Sequence, residues 1–225
     1  MARLLALVHT VRSVMPSIES LAAGVLGPAV ERLHIVDDLL LHDLLAHHAI
    51  TPFVHRHFAH HAAEAEELGA SAVLLTCSSI APCVDTAAPA VRIPVLRIDE
   101  AMVDRALTLG RRIGILATID LALDAVYDLT RRTAEGCGKT AEIEPVLCRA
   151  EAYAAMLAGR REEHDRIVRE SLRQLAGHSD VVLLAQGSMA TAVEEMDLAA
   201  LGVPVLSGPR LALERVKEVM GGVAE

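Results

Sequence analysis

Short apolar runs, several without alternation, recur along the chain and are separated by segments with a helical period. The first four fall at 3–9 (RLLALVH), 32–36 (RLHIV), 71–77 (SAVLLTC) and 94–98 (PVLRI). The second four fall at 111–117 (RRIGILA), 141–147 (AEIEPVL), 180–186 (DVVLLAQ) and 203–206 (VPVL). Strands apolar throughout are those buried on both faces, as in a parallel sheet covered by helices. The stretches between them, such as Thr51 to Leu68 and Arg160 to Leu175, carry helical patterns. Alternating strand and helix predicts an α/β class with right-handed crossovers.

The pattern also repeats. SAVLLTCSSIA (71–81) and DVVLLAQGSMA (180–190) share five of eleven residues at an offset of 109. IPVL (93–96) matches VPVL (203–206) at an offset of 110, and RLLALVHT (3–10) aligns with RRIGILAT (111–118) at 108. Three segments at nearly one offset, close to half the chain, mark a duplication. The expected molecule has two lobes related by a pseudo-two-fold axis, each a four-stranded parallel sheet flanked by helices. The first lobe takes 1–97 and the returning last helix within 207–225; the second takes 98–206.

Composition narrows the function. With 21 Lys+Arg against 30 Asp+Glu the chain carries a formal charge of −9, and no basic cluster is available for phosphates, so nucleic acid is not an expected partner. Apolar stretches break well short of a membrane span, and the first residues do not read as a signal peptide, so a cytoplasmic protein without membrane association is expected. Four cysteines (Cys77, Cys83, Cys137, Cys148) in such a sequence read as free thiols rather than a disulfide framework. Aromatic residues are 2% of the chain, which leaves no stacking platform for a flat cofactor. The glycines form neither GxGxxG nor a Walker loop. The Ala/Leu-rich helices point to a homo-oligomer.

In open parallel sheets, sites lie at the carboxyl ends of strands. The equivalent ends here are Thr76-Cys77-Ser78-Ser79 and Ala185-Gln186-Gly187-Ser188, with His9-Thr10 and Ala117-Thr118 beside them. Cys77 stands between a strand and a following helix, with Ser78 or Ser79 as the cap, and a helix N-terminus favours a thiolate. A protonated His9 at the neighbouring strand end would favour it further, or relay protons. The alternatives are a Cys77 that packs as a small hydrophobe and a His9 that is a satisfied strand-end residue. Thr10, Ser79, Thr118 and Ser188 are matched short hydroxyls that suit either carboxylate cradles or helix caps.

These marks resemble the aspartate/glutamate/hydantoin racemase superfamily. The resemblance rests on His9-Thr10, TCSS at 76–79, IPVLRIDEAM at 93–102, Ala117-Thr118 with Tyr127, and AQGSMA at 185–190. It implies a cofactor-independent enzyme with its site between two lobes. There, a cysteine from each lobe faces one side of a carbon next to a carboxylate. One thiolate removes the proton and the other thiol returns it. Cys77 matches the first of these, with His9 as helper. Thr10, Ser78, Ser79, Thr118, Tyr127, Gln186, Gly187 and Ser188 are the candidate contacts to a small carboxylate substrate.

The second cysteine position is Gln186, and an amide neither takes nor gives a proton near neutral pH. Leu121 and Asp124 stand where relatives carry hydroxyls, which weakens the second cradle. The sequence therefore leaves three readings. One is racemisation or isomerisation at the carbon next to the carboxylate. Another is one-sided Cys77 chemistry, as in a decarboxylase or a cis–trans isomerase of a small dicarboxylate. The third is a catalytically silent carboxylate-binding relative.

A final feature is the cluster His34, His42, His47, His48, His55, His57, His60 and His61. His57 and His61 have metal-capable i,i+4 spacing, but no HExxH is present, and the stretch reads as a solvated polar helix face rather than a metal site.

Overall fold

The computed structural model describes residues 3–222. The chain divides into two compact units, one running to Ile98 and resuming at Pro209, the other Asp99–Gly208.

In the first unit, β1 (Arg3–His9), β2 (Val30–Val36), β3 (Ala70–Leu75) and β4 (Val95–Arg97) form a parallel sheet in the order β2-β1-β3-β4. The connecting helices are α1 (Met15–Leu26), α2 (Asp38–His47), α3 (Pro52–Glu67) and the single turn α4 (Val84–Ala87). In the second unit, after α5 (Glu100–Leu109), the strands are β5 (Arg112–Ala117), β6 (Glu142–Leu147), β7 (Val181–Leu184) and β8 (Val205–Ser207). Their order is β6-β5-β7-β8. Here the helices are α6 (Asp120–Gly136), α7 (Ala150–Leu157), α8 (Arg161–Ala176) and α9 (Gly187–Val193). The last helix, α10 (Gly208–Gly222), packs Ala212, Leu213, Val216 and Met220 into the first unit's core with Leu5, Leu7 and Leu74.

The sequence repeat is a structural repeat, pair by pair. Leu5 pairs with Ala72 and Leu7 with Leu74, while Ile113 pairs with Val181 and Ile115 with Leu183. Val73 pairs with Val95 as Val182 does with Val205. Central strands are buried along most of their length, as continuous apolar runs require. The edge strands β2 and β8 are only half-buried, and β6 is mostly exposed and carries Pro145, whose missing N–H an edge strand tolerates. Strands end slightly earlier than the apolar runs: β3 stops at Leu75 and β7 at Leu184, so residues 76–77 and 185–186 lead out of the sheets.

One close approach fixes α8 on β5. A Cβ added to Gly114 would come within 2.6 Å of Ser179 Oγ and 2.7 Å of Leu175 Cγ. Gly114→Ala therefore overpacks the layer and is expected to cost about 1–3 kcal/mol. The check is a lower urea midpoint with unchanged slope.

Candidate active site

The carboxyl edge of the first sheet gathers polar residues that the core excludes elsewhere. His9, the last residue of β1, is fully buried. Its Nδ1 lies 2.9 Å from Thr76 Oγ1 and its Nε2 lies 2.8 Å from His34 Nδ1. His34 sits on β2 opposite Leu7, and period-two alternation puts it on the same face as His9. Its Nε2 faces Glu19 Oε2 on α1 at 3.0 Å, and Arg32 Nε donates to both Glu19 oxygens at 2.9 and 2.8 Å. The Arg32 hydrogen bonds, above all, hold the Glu19 carboxyl below its usual range. The Thr76 hydroxyl is also 3.0 Å from Val8 O.

This chain corrects one expectation. Burial, then the charge of His34, lowers the His9 pKa from 6.5 to about 4. His9 is a neutral imidazole near pH 7, not a cation that stabilises a thiolate. Two proton patterns satisfy the chain. With His34 neutral, His9 Nε2–H donates to His34 and His9 Nδ1 accepts from Thr76. With His34 protonated, His34 donates to His9 Nε2, His9 Nδ1–H donates to Thr76, and Thr76 donates to Val8 O. His9 changes tautomer and stays neutral in both.

Cys77 follows Thr76 and is half-buried. A second correction concerns the cap: Cys77 itself, in extended backbone, is the N-cap of a short 3-10 segment, Ser78–Cys83. Ser78 and Ser79 lie buried in its first turn. Cys83 is fully buried, and burial first, then the nearby Cys77, pushes its thiol up to about 12. It is a packing residue that stays protonated. Thr10 is buried beside His9 in the chain.

A residue within IPVLRIDEAM to which the sequence reading gave no role lies one strand over. Arg97 ends β4 opposite Leu75, is buried, and pairs with Asp85 of α4. Its signal is a basic residue at the end of an apolar strand, where a solvated side chain would be expected.

The second unit repeats this edge with different chemistry. Thr118, just past β5, is buried. Its N–H donates to Gln186 Oε1 at 2.6 Å and its hydroxyl to the same oxygen at 3.0 Å. The Gln186 carbonyl thus takes the Thr118 hydroxyl that the sequence assigned to a substrate carboxylate, and the Thr118 N–H with it. Gln186 is the N-cap residue of α9, Gly187 is exposed, and Ser188 and Tyr127 are half-buried.

The Asp/Glu/hydantoin racemase family model matches residues 7–216, nearly the whole chain. The chain belongs to the Asp/Glu/hydantoin racemase family. It is an enzyme of the racemase and isomerase type. Solved structures with the same fold include an allantoin racemase from Klebsiella pneumoniae, with a TM-score of 0.67 and 19% identity, covering 98% of this chain and 88% of that one. A glutamate racemase isoform from Bacillus anthracis gives a TM-score of 0.74 at 13% identity, covering 99% and 83%. An arylmalonate decarboxylase gives 0.59 at 16%, covering 99% and 95%. At these identities the likeness carries the fold. No curated protein matches the chain significantly in sequence. Among the described residues, no helix is long and apolar enough to cross a membrane.

Within the Asp/Glu/hydantoin racemase family pattern, Cys77 and Gln186 occupy equivalent places in the repeat, each two residues past its central strand. A half-buried thiol and an amide anchored to Thr118 stand at these two places.

Proposed function

We propose that this racemase-family enzyme acts at the carbon next to a carboxylate of a small amino acid or related acid, with Cys77 as the working thiol and no cofactor. The observation that carries the reading is the Cys77/Gln186 pair. The first unit offers a sulfur that can exist as thiol or thiolate. The equivalent position of the second offers only an amide, tied to Thr118 through its oxygen.

The substrate contacts follow from the same residues. With Oε1 engaged, the Gln186 NH2 remains a donor toward a substrate oxygen. Ser78, Ser79, Thr10, Gly187, Ser188 and Tyr127 supply the other candidate contacts at the two strand edges. His9 acts through Thr76, as a neutral hydrogen-bonding group whose tautomer follows the charge of His34.

The Gln186–Thr118 bonds favour the one-sided forms of this chemistry. In decarboxylation, the bond to the departing carboxylate breaks, its electron pair stays on the carbon, and Cys77 S–H supplies the proton. The thiolate then recovers a proton from solvent. In cis–trans isomerisation the thiolate adds to one carbon of the double bond and the π pair moves to the other carbon and its carboxylate; the new single bond rotates, and the pair re-forms the double bond as the thiolate leaves. Inversion at one carbon would need a far-face proton from a group other than residue 186.

The test is a panel of small amino, hydroxy, malonic and unsaturated dicarboxylic acids incubated in deuterated water and followed by NMR. The proposal expects turnover or deuterium entry at the carbon next to the carboxylate on one face only. Exchange with inversion selects racemisation. Tight binding without turnover, unchanged in Cys77→Ala, would replace the enzyme reading with a carboxylate sensor.

A further inference from the structure

We propose that Asp37, His57 and His61 bind one divalent cation of the zinc class, at a place the sequence reads as a solvated helix face. The three residues come from two elements. Asp37 follows β2, and its N–H donates to His9 O at 2.9 Å. It is the N-cap residue of α2, and its Oδ1 accepts from Leu39 N–H at 3.0 Å, which leaves Oδ2 for another partner. His57 and His61 stand one turn apart on α3, so both rings reach the same side.

The donor atoms converge. Ligand atoms of the three residues lie within 4.8 Å of one another. His61 Nε2 is 2.8 Å from Asp37 Oδ2, and His57 Nδ1 is 3.4 Å from the same oxygen. Zinc bonds of 2.0–2.2 Å in tetrahedral geometry place neighbouring ligand atoms about 3.3–3.5 Å apart. One pair already has that spacing. The His61–Asp37 pair opens by about half an ångström once the proton between them leaves and the ion replaces it, and the third pair, the two imidazole nitrogens, lies within 4.8 Å.

The surroundings also fit. Glu64 Oε2 lies 3.2 Å from His61 Nδ1, the carboxylate backing that metal-bound histidines commonly have. The Phe53 ring packs on His57 with centroids 4.0 Å apart and limits its rotation. Asp37 and His61 are 11% and 15% exposed and His57 is 38%, so a fourth position opens to solvent for a water ligand. Two imidazoles and one carboxylate suit Zn2+ or Co2+, whereas Ca2+ and Mg2+ require oxygen ligands.

The test uses untagged, chelator-stripped protein titrated with Co2+ and then Zn2+. The proposal expects one equivalent of Co2+ with the visible absorption of a four-coordinate site, displaced by one equivalent of Zn2+. Glu64→Gln should weaken binding about 10–100-fold and His61→Ala by more. Asp37→Asn keeps the helix cap and should also weaken it. Far-UV circular dichroism confirms that each variant is folded. The proposal is overturned by absence of the stoichiometric Co2+ spectrum, or by equal binding in folded His61→Ala, which would place the ion on other histidines.

Discussion

Cys77→Ser is expected to lower turnover by about 10²–10⁴-fold, the range that a positioned acid or base contributes. Serine keeps the shape of cysteine and removes its acidity, because a hydroxyl does not ionise near neutral pH whereas a thiol does. Cys77 is half-buried and lies outside the cores, so the substitution opens no cavity. Its effect on stability should stay within about 0.5 kcal/mol. Cys83→Ser provides the contrast. That thiol is sealed in the interior, and a hydroxyl there is expected to cost about 1–3 kcal/mol of stability. Steady-state rates and urea midpoints on both variants separate the two roles. Equal activity loss in Cys83→Ser, or a small loss in Cys77→Ser, would count against the assignment.

The second large effect is acid loss of stability through His9. Its folded pKa of about 4 lies below the unfolded value of 6.5. Above pH 6.5 neither state binds the proton, and stability is at its full value. Below it the unfolded chain takes up a proton that the folded state refuses, so stability falls until about pH 4, where both are protonated. The unscreened slope is about 1.4 kcal/mol per pH unit. Solvent near the exposed end of the chain, at Glu19, reduces it, and we expect a loss of about 1–2 kcal/mol between pH 6.5 and 5. Carboxylates held low, such as Glu19 and Asp37, contribute at lower pH, because their stabilisation is lost only below their unfolded values of 4.5 and 3.8. For Asp37, burial acts upward and is outweighed by hydrogen bonds from His61, the Leu39 N–H and His57. Urea titrations at pH 7.5, 6 and 5 measure the effect, and a flat profile would show that His9 is not held neutral.

Much of the fold was legible because it rests on local periodicity. All eight strands follow from apolar runs bounded by polar or small residues, and the duplication followed from three matched segments that keep the same pairing register. The Cys77/Gln186 asymmetry was legible for the same reason, since the repeat aligns the two positions directly. Side-chain partners across strands were not. His34 and Glu19 reach His9 only through the parallel pairing of β1 with β2 and the packing of α1, neither of which any linear spacing encodes. Asp37 joins His57 and His61 from another element, so the histidine pair alone read as solvated. The Gln186–Thr118 contact was hidden likewise, because it spans two strand ends far apart in the chain.

Everything proposed for the site requires Cys77 to be the working thiol. The most direct test is iodoacetamide alkylation followed in parallel by peptide mass spectrometry and activity. The prediction is that Cys77 modification tracks inactivation one for one and is slowed by a bound carboxylate. The buried Cys83 and Cys148 should stay unmodified, and the exposed Cys137 should react without effect. Full activity with Cys77 completely alkylated, or inactivation that leaves Cys77 untouched, would contradict it.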